Sequence, residues 1–173
     1  MTLTTNARLA GVAFLFYIAA GVASLVLSGW THATDVLSLL TSFSALVLGV
    51  TLYSITREQD PDLAMLGLTC RVVEGVPGHA GGAIFFAVGS TLFAWLLLRG
   101  RMIPIALAQL GVLASVLLVV ILPLQHAGLF GRPMTWSASV TWLVWLPMLV
   151  FEVALALWLL VKGVATPAAK QSA

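Results

Sequence analysis

The stretch Leu63-Ala-Met-Leu-Gly-Leu-Thr-Cys70-Arg71-Val-Val-Glu74-Gly-Val76, followed by Pro77-Gly78-His79-Ala80-Gly81-Gly82, decides how this chain folds. It reads either as the first half of a broken membrane helix that resumes at Ala83, or as a short span joined to the next by a tight turn. Its apolar part is short for a crossing, about 21 Å at 1.5 Å per residue. The basic residues arbitrate, because they gather on the cytoplasmic side of a membrane protein. If Arg8 is cytoplasmic, six spans put Arg57, Arg99, Arg101, Lys162 and Lys170 on that side and leave Arg132 alone outside. Five spans would move Arg99 and Arg101 outside. The charge pattern therefore predicts an all-α, polytopic membrane helix bundle of six transmembrane helices in three hairpins, with both termini cytoplasmic.

The same stretch carries an ion pair in a run otherwise fit for lipid. Charge at that depth is tolerated only where it faces protein or trapped water. Three residues apart on a helix, Arg71 and Glu74 share one face, and Gly67 and Gly78 extend that face with room for neighbouring helices. Function is to be sought there.

Composition agrees with the membrane class. Of the 173 residues 61% are hydrophobic and 8% charged, against about 25% charged in a soluble domain. Mean hydropathy is +1.09. At roughly 20 apolar residues per crossing, six short-looped spans consume nearly the whole length as a single membrane domain over 1–173. The net charge of +2 suggests no nucleic-acid partner, because the basic residues stand singly between apolar segments. Cys70 is the one cysteine, which excludes an internal disulfide and a CxxC metal knuckle.

In order, Thr4-Thr5-Asn6 offers a cap before a first span at 9–27, which is longer than a signal-peptide core and is expected to be retained. Asp35 opens a second span at 36–55, whose stripe Ser38, Ser42, Ala45 and Gly49 reads as a packing face. Pro61 and Asp62 suit the start of a third helix, with spans expected at 63–77 and 80–98. Pro104 begins a fifth span at 104–122, in which Gln109 is the strongly polar member. The sixth, 138–161, contains Pro147, expected to kink it, and Glu152, a second intramembrane acid. Residues 164–173 read as a disordered tail.

Three constellations are candidates for chemistry. Arg71, Glu74 and Glu152 lie at one depth: about 12 and 16 Å from the start of the third helix, and about 15 Å from Lys162. Two carboxylates against one guanidinium leave one acid in excess. A cross-helix fork from Arg71 to Glu152 leaves Glu74 as the candidate acid or proton carrier. His32, His79 and His126, one in each outer connection with Asp35 nearby, are weak metal candidates, since no two stand at ligand spacing on one helix. Trp30, Trp95, Trp136 and Trp158 lie near span ends, as an interfacial belt requires. Trp145 lies seven residues before Glu152 on nearly the same face, where it can wall a pocket; with Gln109 it forms the expected ligand pocket. P-loop, nucleophile-elbow, HExxH and dinucleotide fingerprints are absent from the sequence, and no cofactor is expected.

Asn6-Ala-Arg-Leu-Ala-Gly-Val12, Arg71-Val-Val-Glu74, Phe85-Phe86-Ala-Val-Gly89, Leu98-Arg-Gly-Arg-Met-Ile-Pro104 and the run from Glu152 to Lys162-Gly163, in that order, make the chain resemble a bacterial family of multi-pass membrane proteins known as domain of unknown function 4386. The resemblance implies six membrane helices, a shared Arg/Glu pair and a late Glu. It supplies no activity. This chain departs from it in having little between its third and fourth helices.

The expected function is that of an integral protein of the cell membrane whose buried Arg/Glu site binds or moves a small molecule or proton. The alternative is a membrane-embedded enzyme, an acid-catalysed isomerase or terpene-cyclase-like protein with a lipophilic substrate. A third reading is an accessory subunit with no site of its own. The partners expected are the lipid bilayer and a lipophilic small molecule, with the oligomeric state open.

Overall fold

The computed structural model describes residues 2–76, 81–129 and 139–165, and among these it forms six helices and no strand. They are α1 (Leu3–Val26), α2 (Thr31–Thr56), α3 (Pro61–Glu74), α4 (Gly82–Arg99), α5 (Ile105–His126) and α6 (Ser139–Val161). Five of them, all but α3, are long and apolar enough to cross a membrane.

Local chemistry explains most of the boundaries. The hydroxyl of Thr2 accepts from the Thr5 N–H at 3.2 Å, so α1 is capped two residues ahead of the expected Thr4-Thr5-Asn6. Asp60 caps α3 by accepting from Leu63 N–H at 3.1 Å, with Pro61 in the first turn, where its missing N–H costs nothing. Two helices outrun the sequence reading. α2 begins at Thr31, a turn before Asp35, and α5 continues through Pro123 to His126. Proline forfeits one helical hydrogen bond but holds a helical φ, so near a helix end it does not stop the chain. α6 likewise runs through Pro147 as one helix.

Each helix packs on its neighbours in chain order, and α6 closes back onto α1. The result is a ring of six whose centre is filled by side chains. The turns between α2 and α3 and between α4 and α5 lie at the same end, where Arg99 meets Asp60 at 3.5 Å. Arg8, Arg57, Arg101 and Lys162 are exposed toward this end. Ala165 N–H donates to Met102 O at 2.9 Å and Val164 packs on the core, which ties the described end of the chain to the α4–α5 turn. The remainder of the expected tail, 166–173, lies outside the described residues.

The short α3 shapes the interior. Its 14 residues rise about 21 Å, against an apolar bilayer thickness of roughly 30 Å. Beyond Glu74 the ring is therefore missing the top of one stave. The space left is the cavity described next.

Candidate functional site

Arg71 is 1% exposed, and the surrounding sequence is cut to fit its stem. A Cβ on Gly49 of α2 would lie 2.9 Å from the Arg71 Cβ, and one on Gly89 of α4 would lie 3.1 Å from the Cβ of Cys70 and 3.8 Å from the Arg71 Cγ. Hydrogen at Gly49 lets α2 close on α3, and hydrogen at Gly89 spares α4 a tight contact with it. The inward face of α4 reads Phe86, Gly89, Ser90 and Phe93, at spacings of three and four, and each of these groups meets α3 or its arginine.

The guanidinium is held on three sides. Nη1 donates to Oε2 of Glu74 at 2.9 Å, Nη2 donates to Oγ of Ser90 at 3.0 Å, and Cζ lies 4.9 Å from the centroid of the Phe86 ring. Oε1 of Glu74 accepts from the Tyr17 hydroxyl of α1 at 2.7 Å. Both oxygens of Glu74 are thus engaged. Arg71 sits in the last turn of α3, where a cation is favoured by the helix dipole, and it offsets the acid that ends the helix. Charge-assisted bonds of this kind are the strong ones in a low dielectric.

This geometry corrects the expected pairing. Arg71 takes Glu74 on its own helix, not Glu152 across the bundle, because Ser90 and Phe86 fix the guanidinium from the α4 side and Tyr17 turns the Glu74 carboxylate toward it. Glu152 is left over. It is 5% exposed, and its Oε1 has no hydrogen-bond partner among the described residues.

Glu152 lines a cavity of about 540 Å³ bounded by α1, α2, α6, the end of α3 and the start of α4. The walls are mostly apolar: Ile18, Val22 and Leu25 from α1, Ala45 from α2, and Trp145, Leu146 and Leu149 from α6. Tyr17 stacks on Phe86 with centroids 6.3 Å apart, and Phe86 on Trp145 at 5.9 Å. The stripe read as a packing face divides in two. Ser38, Ser42 and Ala45 line the cavity around the end of α3, whose C-cap Gly75 abuts the Ser42 backbone, and Gly49 packs on Arg71. Beneath the arginine, Phe14, Leu52, Phe93, Met148, Phe151 and Leu155 close the centre around a void of only about 10 Å³. The cavity is blind at that end.

The other candidates fall elsewhere. Gln109 is exposed on α5, a helix that contributes nothing to the cavity lining, so it stands apart from Trp145. His32, His126 and Asp35 are exposed, and His79 lies outside the described residues. Among the described residues no group of three His, Cys, Asp or Glu side chains is arranged to hold a metal ion. The residues that sequence reasoning passed over are Tyr17, Phe86 and Ser90. A phenol in the middle of an apolar span was the available signal, since a buried hydroxyl needs a partner.

Fold and site together define a small membrane-helix bundle with a buried Arg–Glu pair at the base of a blind, apolar cavity. The chain belongs to the family described as Domain of unknown function (DUF4386), which matches residues 77–163. The match takes in Phe86, Ser90, Trp145 and Glu152, and begins just after Arg71 and Glu74. No curated protein and no solved structure matches the chain.

Proposed function

We propose that this is an integral protein of the cell membrane, with both termini cytoplasmic, that binds a lipophilic small molecule in the cavity and carries or presents it. The observation that carries this reading is the unpartnered Oε1 of Glu152 on the wall of a mostly apolar cavity large enough for such a molecule. Burying a carboxylate without a partner is expensive, and sites that do so recur where a ligand supplies the missing group. Arg71, Glu74, Tyr17 and Ser90 are the positioning network that holds the floor, and Trp145 is a wall. The packed floor argues for a binding site closed at one end over a continuous proton wire.

A second reading, a membrane-embedded enzyme that protonates an olefin or epoxide, uses the same residues: Glu152 as acid and the Trp145 ring to stabilise the cation formed. Phe86 adds little to it, because its face is already covered by Arg71. Turnover of a lipophilic compound by purified protein without a gradient favours the enzyme, and gradient-dependent uptake into vesicles favours the carrier.

The cavity itself is tested with a long-chain alcohol bearing an aliphatic diazirine, photolysed with the protein in nanodiscs. Adducts are expected on the lining residues of α1, α2 and α6. Gly21 lines the cavity and a Cβ there meets nothing within 4 Å, so Gly21→Leu fills the space without disturbing the packing. It should remove those adducts from a folded protein. Labelling spread over lipid-facing residues and unchanged by Gly21→Leu overturns the proposal.

A further inference from the structure

We infer that the ligand of this cavity is a lipophilic cation, an amine or quaternary ammonium compound, whose charged head sits at Glu152 while its apolar body fills the space toward Trp142. The inference rests on the cavity being a binding site, as proposed above, and names the chemical class it selects.

Arg71 is bonded to Glu74 and Ser90, and Glu74 to Arg71 and Tyr17, so the pair is neutral as a unit, with the Arg71 Nε its one donor left without a partner among the described residues. Glu152 then contributes to the lining the carboxyl that no described cation holds, and it is ionised when a bound cation pairs it. Helix ends do not reverse that sign. The C-terminus of α3 at Glu74 and the N-terminus of α4 at Gly82 meet on the same wall, and their opposed dipoles offset each other.

The walls supply the second half of the recognition. Trp145 lies one face-repeat, about 10 Å, before Glu152 on α6 and is stacked on Phe86, so an indole and the carboxylate line the same cavity from the same helix. A carboxylate flanked by an aromatic ring in an apolar site is the chemistry that receives an organic ammonium, through an ion pair or N–H donation at Oε1 and cation–π contact with the ring. An anionic ligand would meet the Glu152 acid with no free cation among the described lining residues to balance it, since Arg71 is already paired. A neutral alcohol can donate one bond to Oε1 but leaves the charge uncompensated. From Trp142 to Glu152, both of which line the cavity, the rise along α6 is about 15 Å, room for a medium-length alkyl or aryl body.

The test keeps the body constant and varies the head. Decylammonium, decyltrimethylammonium, decanol and decanoate compete with the diazirine alcohol for the cavity, in nanodiscs of zwitterionic phosphatidylcholine so that the bilayer surface does not itself concentrate cations. Both cations are expected to displace the probe at least about ten-fold more effectively than decanol, with decanoate weakest. Glu152→Gln should bring the cations to within about two-fold of decanol while the probe still labels the cavity. Decanol matching the cations in the wild type overturns the inference and leaves the cavity reading standing. So does a cation preference that survives in a folded Glu152→Gln. If none of the four competes and the probe labels no lining residue, the cavity reading fails and the inference with it. The order of the heads on the wild-type protein decides the matter even where the variant does not fold.

Discussion

The hydroxyl of Tyr17 on α1 donates to Oε1 of Glu74 on α3 at 2.7 Å, although α1 and α3 are not packed against each other in the ring. The bond crosses the hollow of the bundle. It divides the packed half, where Phe14, Phe93 and Phe151 fill the centre, from the open half that holds the cavity. One phenol therefore sets the depth at which the cavity stops.

Tyr17→Phe keeps the ring and its stacking on Phe86 but removes the donor, leaving Oε1 of Glu74 without a partner and the carboxylate held through Oε2 by Arg71 alone. A hydrogen bond to a charged group contributes about 1.5–3 kcal/mol. The variant should insert and fold, with a melting temperature in detergent several degrees below wild type. Tyr17→Ala, which also opens the floor, should fall further. Equal melting of wild type and Tyr17→Phe would show that the bond contributes nothing.

Arg71 spends two nitrogens on two different helices, and lysine has no such fork. Arg71→Lys should hold Glu74 and lose Ser90, giving reduced extractable yield. Arg71→Ala should give much less folded protein, because removing one partner of a buried pair costs on the order of 3–5 kcal/mol. The double variant Arg71→Ala/Glu74→Ala removes the stranded charge and should recover part of that loss. Yield and melting temperature of the set decide it, and a double variant no better than Arg71→Ala alone overturns the pairing as the reason.

Much of this molecule was legible in its sequence because apolar length and charge placement are strong, local signals. The six helices follow from them, and so does the burial of Arg71, Glu74 and Glu152. What was not legible is which carboxylate Arg71 takes. That choice depends on Ser90, Phe86 and Tyr17, which come from two other helices and carry no spacing relation to Arg71. Three contacts from outside α3 hold the i,i+3 pair. The cavity was hidden for a related reason: α3 is short, and the consequence falls on Ser38 of α2, which lines the cavity although its pattern alone reads as packing.

Gly49 and Gly21 should respond oppositely to the same change. A Cβ on Gly49 would sit 2.9 Å from the Arg71 Cβ and 3.0 Å from the Leu68 Cδ1, and the first of these cannot swing away. Gly49→Ala should cost about 1–3 kcal/mol as overpacking and lower the yield. Gly21→Ala meets nothing and should be neutral, or gain about 0.4–1 kcal/mol by restricting the unfolded chain. Paired thermal melts check both, and a Gly49→Ala protein as stable as wild type would mean that α2 and α3 separate more easily than their contact suggests.

The membrane orientation is open to a direct check. Gly128 follows α5 at the end opposite the Arg99–Asp60 pair, and Asp62 lies exposed in the first turn of α3 at the basic end. In intact cells a cysteine at 128 should react with an impermeant thiol reagent, and a cysteine at 62 should react only after permeabilisation. Cys70 is buried and should stay silent in both. Labelling of position 62 from outside would invert the topology and turn the cavity toward the cytoplasm.

Glu74 and Glu152 should separate cleanly by their roles. Glu74 is bonded through both oxygens to two other residues, whereas Glu152 offers Oε1 to the cavity with no partner. Replacing Glu74 by Gln keeps the shape but swaps an acceptor for an amide N–H, which must then face either the guanidinium or the Tyr17 donor. The first arrangement is repulsive and the second is met by the phenol oxygen as acceptor, but in either the buried Arg71 is left without a counter-charge. Glu74→Gln should therefore lose folded protein. Glu152→Gln strands no cation and removes one unpartnered buried carboxylate, so its melting temperature should equal or exceed that of wild type. Its cost should appear only in binding, as loss of cation competition at the cavity. Measured side by side for extractable yield, melting temperature and competition, a Glu152→Gln that unfolds beside a Glu74→Gln that is stable and inactive would exchange the two roles.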